Sequence, residues 1–390
     1  MIKKLFYLFV FFAPFTSFFA LSAWLRLPVV INQLLFLTLI IAAFKNNKVK
    51  TKWLLKEDLY LFAFLGIVLL SFLFGYREQR SFNHSLAYIN SVLFYFFLFK
   101  YVVVLLKITS KEIAKIIYWS FCTISFIIIT DFIGRHFYNY SLTSVFSEVD
   151  GAISNMDYFI RSGYRRVGGV AEEPGHMALF YNIYFGITLY YIHLKKNFKK
   201  YFFVCFLFIV SHFAMLSNAG IVLPIIALAL IFIINKLKTL RISENQVLML
   251  LSLLVLLFIS VTVILFFDVG NTRSFLEEFF NKIFFNESAA NSSSGQRLLQ
   301  WKRALFNFIE RPVLGKGPGF GVHEDAEGYL SVYLTILADV GIISFLLFVS
   351  FQQVIVKKVM QLEKYSRGFL LLSIITSFLH IIIVADFYHA

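Results

Sequence analysis

The sequence is poor in charged residues and in cysteine. Only 15% of its 390 residues are Asp, Glu, Lys or Arg, whereas a soluble domain is about one quarter charged. Hydrophobic residues make up 59% of the chain, with 50 Phe and 20 Tyr, a composition that is typical of a polytopic membrane protein. The two cysteines, Cys122 and Cys205, both lie in apolar runs. Their number and position argue against a disulfide framework or a cysteine zinc site.

Acidic residues are scarce too, and the net charge is +14. A strongly basic chain can bind nucleic acid, but here most lysines lie in short loops between apolar segments. Lysine in such loops sets membrane topology. The lipid bilayer is therefore the expected partner, and no nucleic acid is expected.

Eleven apolar segments have the length that a helix needs to cross about 30 Å of hydrocarbon. They lie at about 4–24, 28–44, 59–75, 85–106, 114–133, 174–193, 201–217, 219–235, 246–267, 328–350 and 368–387. Lysine-rich loops alternate with lysine-poor ones, so the N-terminus is predicted inside and the C-terminus outside. The predicted fold is therefore all-α: one transmembrane domain over 1–390 with about eleven helices.

The first segment also has features of a cleaved signal peptide. Lys3 and Lys4 precede an apolar run that ends in Ala20-Leu-Ser-Ala23, which is compatible with a cleavage site. The apolar run is long for a signal peptide, so a retained membrane span is favoured. Cleavage would leave the topology of the remaining chain unchanged.

Two large loops, 134–173 and 268–327, are predicted on the outer side. Arginine is concentrated on this side, although topology alone would deplete it there. A guanidinium group binds multi-oxygen anions in a bidentate manner, so the loops are predicted to recognise such an anion. The alternative is that these arginines reach the lipid interface or form salt bridges within the loops.

The first loop ends in a polar segment directly before the sixth apolar segment. Arg165 and Arg166 are candidates for holding an anion, and Glu173 is a candidate base or orienting group. The alternative is that Glu172 and Glu173 only stabilise the N-terminus of the following helix. Together with His176, they have helical spacing that makes a metal site conceivable. No further ligand cluster occurs in this loop, so no metal is predicted.

The second loop contains a predicted amphipathic helix at the membrane interface. Its apolar stripe comprises Leu298, Trp301, Leu305 and Phe308, and its polar face comprises Arg297, Gln300, Asn307 and Arg311. A glycine-rich run, Gly315–Gly321, follows and would permit close backbone approach to a phosphate. No strand precedes this run and no GK[ST] motif is present, so it is weak evidence for phosphate binding.

Acidic residues and a histidine follow the glycine-rich run. His323 and Glu327 are candidate bases, and a solvated acidic loop is the alternative. Asp339 and three other charges are predicted within or at the ends of apolar segments, where charge indicates function by default. The other three are Lys100, Asp131 and Asp386. Helix pairing is the commoner explanation for isolated charges of this kind.

Four short motifs in and after the second loop resemble the bacterial O-antigen polymerase/ligase superfamily. They are Gly295-x-Arg297-x3-Trp301-x2-Ala304-Leu305, Arg311-Pro-Val-Leu-Gly315-x-Gly317, Gly328-Tyr-Leu and Leu337-Ala-Asp-Val-Gly341. The segment from Arg166 to Pro174 is similar to the Arg-to-Glu-Pro segment that many polymerases of this superfamily carry in an earlier outer loop. The motifs cover a small part of the chain, and the remainder agrees only in topology.

The resemblance implies a glycosyltransferase of the bacterial inner membrane that works without a metal or another cofactor. It would join repeat units, delivered on undecaprenyl pyrophosphate, at the periplasmic face. Donor and acceptor would both be lipid-linked oligosaccharides, and a flippase and a chain-length regulator are the family's partners. By position, Arg297 matches the family arginine that engages the pyrophosphate, with Arg166 as its partner. Arg165 and Arg303 complete the predicted pyrophosphate-binding residues.

One departure from the family pattern bears on the reaction. Ligases, and some polymerases, carry a His-Asn pair where their last loop enters the following helix, and Leu330-Ser331 stands there in this chain. Glu327-Gly-Tyr-Leu is closer to the variant seen in polymerases. The predicted function is therefore surface polysaccharide (O-antigen) polymerase, with Glu173, His323 and Glu327 as candidate catalytic residues.

Three alternatives remain open. An O-antigen ligase would transfer the glycan to lipid A core. A flippase or transporter for the same glycan would place charged residues at the bilayer midplane and contain paired broken helices. A membrane scaffold without activity would tolerate substitution in its arginine-rich loops.

Overall fold

Helices make up nearly all of the structure, a computed structural model that describes residues 1–17, 26–45, 54–142, 160–161, 164–171, 173–239, 293–324 and 328–383. The first six helices are α1 (Ile2–Phe12), α2 (Leu27–Lys45), α3 (Leu59–Phe74), α4 (Gln79–Asn90), α5 (Leu98–Leu105) and α6 (Ser110–Phe137). A 3-10 turn, Lys56–Asp58, precedes α3, and a π-helical segment, Ser91–Phe97, joins α4 to α5.

A short antiparallel hairpin follows, in which β1 (Ile160–Arg161) pairs with β2 (Tyr164–Arg165). The next helices are α7 (Pro174–Leu194), α8 (Phe198–Met215), α9 (Asn218–Thr239) and α10 (Ser293–Glu310). Two short helices, α11 (Phe320–Glu324) and α12 (Val332–Thr335), lead into a π-helical segment, Ile336–Val340. The last two helices are α13 (Ile342–Met360) and α14 (Lys364–Ile383).

Within the described ranges, six helical stretches are long and apolar enough to cross a membrane. They are Lys56–Phe74, Gln79–Leu105, Ser110–Phe137, Phe198–Met215, Ile342–Met360 and Lys364–Ile383. Shorter apolar helices occur at Leu27–Ala42 and Asn218–Ile234. The membrane-helical class predicted from the sequence is confirmed, whereas the count of eleven spans and their orientation stay predictions. The predicted span 246–267 lies outside the described residues.

Two predicted spans have the wrong bounds. The first was expected over 4–24, but α1 ends at Phe12, and the chain turns around Pro14, which has no N–H for a helical bond. The other was expected over 328–350, but α13 begins only at Ile342. Gly341 precedes it with φ +89°, and a Cβ there would lie 2.2 Å from the Val313 carbonyl oxygen. This turn therefore requires glycine.

Helix α7 is 21 residues long and packs against α6, α8, α9 and α14. It carries too many polar side chains to count among the six apolar stretches, and its neighbours satisfy them. The buried Tyr181 hydroxyl donates to the Leu207 carbonyl at 3.0 Å. The Asn182 side chain donates to the Gly220 carbonyl at 3.0 Å. Polar groups in a membrane interior need such internal partners, so α7 forms the polar centre of the bundle.

The loops that contact one another belong to the same predicted side of the membrane. Lys3 pairs with Glu112 at 2.6 Å, and Lys358 pairs with Glu57; all four residues belong to the predicted inner side. At the predicted outer side, the Tyr76 N–H donates to the Lys316 carbonyl at 2.7 Å. Each of these contacts therefore joins loops that the lysine pattern assigns to the same side. Which end faces the cytoplasm remains a prediction.

Two of the charges predicted within spans pair in the bundle. Asp131 accepts from Arg135 at 2.9 Å along α6, and both side chains are buried. Lys100 pairs with Asp58, which links α5 to the turn before α3. These pairs agree with the structural explanation of those charges. The predicted charge at Asp386 lies outside the described residues.

The amphipathic helix predicted in the second loop is present as α10, and its polar face points into the protein. Gln300 and Asn307 are buried, whereas Leu299, Phe306 and Ile309 are 63%, 63% and 72% exposed. The outward surface of α10 is therefore apolar. Buried Ala304 packs with Tyr329 and Ala338, so the inner face contacts the loop before α13.

Candidate active site

The glycine-rich loop of the second outer segment is wrapped around the Asp339 side chain. One carboxyl oxygen accepts the N–H of Gly319 at 2.9 Å, and the other accepts the N–H of Gly321 at 3.2 Å. The Asp339 carbonyl oxygen accepts the N–H of Gly317 at 2.9 Å. The backbone amides that could have held a phosphate are therefore occupied by a carboxyl group of the same chain.

Two of these glycines are required by the close packing of the loop. Gly319 has φ +78°, and a Cβ there would lie 2.6 Å from the ring of His84. A Cβ at Gly321 would lie 2.3 Å from the ring of Tyr329. Larger residues would move the loop away from its neighbours, because real Cβ contacts do not come so close.

Asp339 is fully buried and lies ahead of the α13 span. Burial raises the pKa of its carboxyl group to about 8, and the hydrogen bonds from Gly321 and Gly319 oppose this rise. The group is therefore mainly neutral at pH 7. A neutral carboxyl group can hold the loop without burying a full negative charge.

His323 stands at the end of α11 and is held by the loop between α3 and α4. Its Nδ1 lies 2.8 Å from the Tyr76 hydroxyl and 3.8 Å from the Glu78 carboxylate. Tyr76 also hydrogen-bonds Glu78, and burial together with this contact raises the pKa of Tyr76 to about 12. If the single Tyr76 proton goes to the carboxylate, the tyrosine oxygen accepts Nδ1–H. Nε2 then carries the lone pair that a general base needs.

The guanidinium group of Arg303 braces the loop from α10. It donates to the Gly321 carbonyl at 2.9 Å and the Gly328 carbonyl at 3.2 Å. It also lies over the Tyr329 ring, 5.2 Å from its centroid, and 3.5 Å from the Glu324 carboxylate. These contacts favour a structural role for Arg303, whereas its predicted contact with pyrophosphate stays untested.

The end of the first outer loop is buried among the helices. Val167 N–H donates to the Ala214 carbonyl at 3.3 Å, and Arg166 Nε donates to the Met215 carbonyl at 3.2 Å. Val170 is fully buried beside them. Arg166 is therefore fixed against the C-terminal end of α8.

The remaining first-loop candidates flank this buried segment. Glu173 occupies the N-cap position of α7, where its side chain makes no capping hydrogen bond, and it is exposed. Arg165 belongs to β2, and Glu172 lies outside the described residues. Among the residues that the structure describes, no group of three or more His, Cys, Asp or Glu side chains is placed to hold a metal ion.

A buried histidine that the sequence patterns did not indicate lies near the C-terminal end of α14. His380 of α14 interacts electrostatically with Arg297 of α10 and with His176 in the first turn of α7. It also interacts with His212 near the end of α8, three residues before the carbonyl that holds Arg166. The grouping of Arg297 with Arg166 and Glu173 in one site stays a prediction.

Several functional candidates were missed or lie beyond the described residues. Glu327 falls in the undescribed range 325–327. Tyr76 and Glu78 were overlooked because only arginines were sought in their short loop. His380 was overlooked because a lone histidine in an apolar helix gives no motif. An intramembrane titratable residue is nevertheless a functional signal, and this signal could have found His380.

The fold defines a class: a helical membrane protein with polar, arginine-containing segments between its apolar helices. Residues 203–349 match the family model described as O-antigen ligase. Over this part of the chain, the protein is similar to the O-antigen ligase/polymerase superfamily. Its members are integral membrane enzymes of the glycosyltransferase type that act on lipid-linked oligosaccharides. The chain matches no curated protein sequence.

Proposed function

We propose that the protein is a surface polysaccharide polymerase. It transfers a glycan from undecaprenyl pyrophosphate to the next lipid-linked repeat unit at the periplasmic face of the inner membrane. The observation that carries this proposal is the polar loop before α13. There the Tyr76 hydroxyl lies 2.8 Å from Nδ1 of His323, and Arg303 of α10, the helix that also carries Arg297, donates to the Gly321 carbonyl at 2.9 Å.

The chemistry requires stabilisation of a leaving diphosphate. An acceptor hydroxyl oxygen attacks the anomeric carbon of the donor glycan, and the bond from that carbon to the diphosphate oxygen breaks. Undecaprenyl diphosphate leaves as an anion, and the hydroxyl proton passes to a base. Arg297 and Arg166 neutralise the developing charge, which is most effective in a partly water-excluded site.

His323 is the proposed base, with Glu327 and Glu173 as alternatives. Its Nδ1 is held by Tyr76, and the side chain is 43% exposed, so an acceptor hydroxyl can reach Nε2. Arg303 donates to the Gly321 carbonyl of the loop. It lies six positions after Arg297, about 9 Å along the helix axis. Diphosphate and acceptor thus face separate parts of one helix and loop.

The residue at the start of α12 supports polymerisation over transfer to lipid A core. The ligase pattern has His-Asn at this point, whereas this chain has Leu330-Ser331. The Ser331 hydroxyl caps α12 by accepting the Leu334 N–H at 3.4 Å, and Ser331 is buried. Ser331 therefore has a structural role as a helix cap, and neither Leu330 nor Ser331 supplies a general base.

The proposal is tested with Arg297→Ala in purified protein supplied with a lipid-linked repeat unit. Loss of one preorganised charge at the leaving group is expected to slow chain growth about 100- to 1000-fold. Lys302→Ala is the matched control, because Lys302 is an exposed cation on the same helix. It should leave the ladder of glycan lengths unchanged.

The products distinguish the alternative functions. Lengthened lipid-linked glycan identifies a polymerase, and transfer to lipid A core identifies a ligase. Movement of the glycan across liposomes without bond formation identifies a flippase. A normal length ladder from a membrane-inserted Arg297→Ala variant would contradict the assigned role of Arg297.

A further inference from the structure

The short loop between α3 and α4 is fastened to the second outer segment by two hydrogen bonds. The Tyr76 N–H donates to the Lys316 carbonyl at 2.7 Å. Arg80, in the first turn of α4, donates to the Val322 carbonyl at 2.6 Å. That carbonyl belongs to the residue directly before His323. The loop and the histidine are therefore held at fixed positions relative to each other.

The His323 ring lies against the Tyr76 ring, with the ring centroids 4.5 Å apart and the ring planes at 31°. Its Nδ1 lies 2.8 Å from the Tyr76 hydroxyl oxygen and 3.8 Å from a carboxylate oxygen of Glu78. The neighbouring Glu324 carboxylate is held elsewhere, because one of its oxygens accepts from Asn307 at 2.7 Å. Among the described carboxylates, Glu78 is thus the one that faces Nδ1.

Two arrangements of protons are compatible with the contact between Tyr76 and Nδ1. In the first, the tyrosine hydroxyl donates to Nδ1, and the single proton of the neutral ring lies on Nε2. In the second, Nδ1–H donates to the tyrosine oxygen, and the tyrosine proton points to a Glu78 oxygen. A carboxylate only accepts hydrogen bonds, so the second arrangement makes two hydrogen bonds where the first makes one. The added bond has an ionised acceptor and is therefore a strong one.

We propose that Glu78 is a positioning residue, which acts through Tyr76 to keep the proton of neutral His323 on Nδ1 and the lone pair on Nε2. The inference rests on the proposed function, in which Nε2 takes the proton of the acceptor hydroxyl. The ring then becomes a cation 3.8 Å from the Glu78 carboxylate, and this negative charge stabilises it. Glu78 therefore acts on the base and does not touch the substrate.

The first measurement is the tautomer of His323, read by nitrogen NMR, because ring nitrogens with and without a proton differ in chemical shift. Full-length protein with labelled histidine is studied in lipid nanodiscs at about pH 8, where an ordinary imidazole is neutral. The chain has 8 His, and the signals of His323 are those that His323→Ala lacks. The wild type should carry the proton on Nδ1. In Glu78→Gln the tautomer ratio should move about tenfold toward Nε2–H, since a neutral amide attracts the tyrosine proton less strongly.

The second measurement is chain growth from a lipid-linked repeat unit. Glu78→Gln should lower kcat about tenfold and leave KM near the wild-type value, because substrate contacts are unchanged. Glu310→Gln is the matched control, since it removes another exposed carboxylate, which pairs with Lys316. It should change neither the tautomer of His323 nor the rate. A raised KM in Glu78→Gln would indicate displaced substrate contacts and contradict the positioning role.

The two measurements separate this inference from the proposed function. If wild type and Glu78→Gln show the same tautomer, the inference is wrong, and the polymerase proposal stands whenever the wild type joins repeat units. If the tautomer changes but the rate does not, Nε2 of His323 is not the base and Glu78 has no role in the reaction. If the tautomer changes while the wild type joins no repeat units, Glu78 still sets the position of the proton and the polymerase proposal fails.

Discussion

Replacing Asp339 tests whether its carboxyl group holds the glycine-rich loop. In Asp339→Ala, the N–H groups of Gly319 and Gly321 lose their acceptors in a buried place. Each orphaned donor costs about 1–3 kcal/mol, so the variant should lose roughly 2–6 kcal/mol of unfolding free energy. Asp339→Asn keeps one acceptor oxygen and should lose about half as much.

The same residue predicts a pH dependence of stability. Burial raises the pKa of Asp339 from 3.8 to about 8. Between about pH 4 and 8 the folded protein therefore keeps a proton that the unfolded chain has released. Its contribution is fully present below this window and is lost as the pH rises through it, by at most about 1.4 kcal/mol per pH unit.

Thermal unfolding of the purified protein in detergent, measured from pH 5 to 8, checks both expectations. The wild type should become less stable toward pH 8, and Asp339→Asn should lose that slope. Glu363→Gln is the control, since this carboxylate is 71% exposed and should change nothing. An unchanged slope in Asp339→Asn would refute the assignment of the titration to Asp339. Wild-type stability of Asp339→Ala would refute its role in the loop.

Two further predictions concern the loop's other contacts. Tyr76→Phe removes the hydroxyl that holds His323 and should slow chain growth about tenfold, the effect of one lost hydrogen bond of about 1.4 kcal/mol. In a double-mutant cycle, Tyr76→Phe should cause no further loss in a chain that already carries His323→Ala. Additive losses would show that the two residues act independently. Arg303→Lys should lose about 1–3 kcal/mol of unfolding free energy. One ammonium group cannot bridge the Gly321 and Gly328 carbonyls while stacking on an aromatic ring. A melting temperature equal to that of the wild type would contradict this prediction.

Much of the helical architecture was predictable from local pattern, because long apolar runs form helices in lipid whatever their partners. The breaks were harder to predict. Pro14 gives a local signal that the length of the apolar run concealed. Gly341 lies in a run that looks continuous, and its conformation depends on the approach of Val313 from another segment. Hydropathy carries no information about such an approach.

The candidate site was predictable only where a residue carries its own chemical signal. Arg297 and His323 could be selected by residue type and position. The contact between Tyr76 and His323 joins residues 247 positions apart, and the capture of the glycine amides by Asp339 also arises from tertiary packing. His380 becomes informative only through its neighbours on three other helices. These relations are properties of the packed bundle and leave no mark in local sequence.

The apolar outer surface of α10 has a consequence for how the substrate is met. A helix with Leu299, Phe306 and Ile309 on its outside partitions to the interface between lipid and water. Arg297, on the opposite side, then stays at one height relative to the membrane. The diphosphate of the proposed lipid-linked donor is held at the level of the headgroups by its own lipid tail. Arg297 and this donor would therefore lie at the same depth in the membrane, and lateral diffusion alone would bring them together.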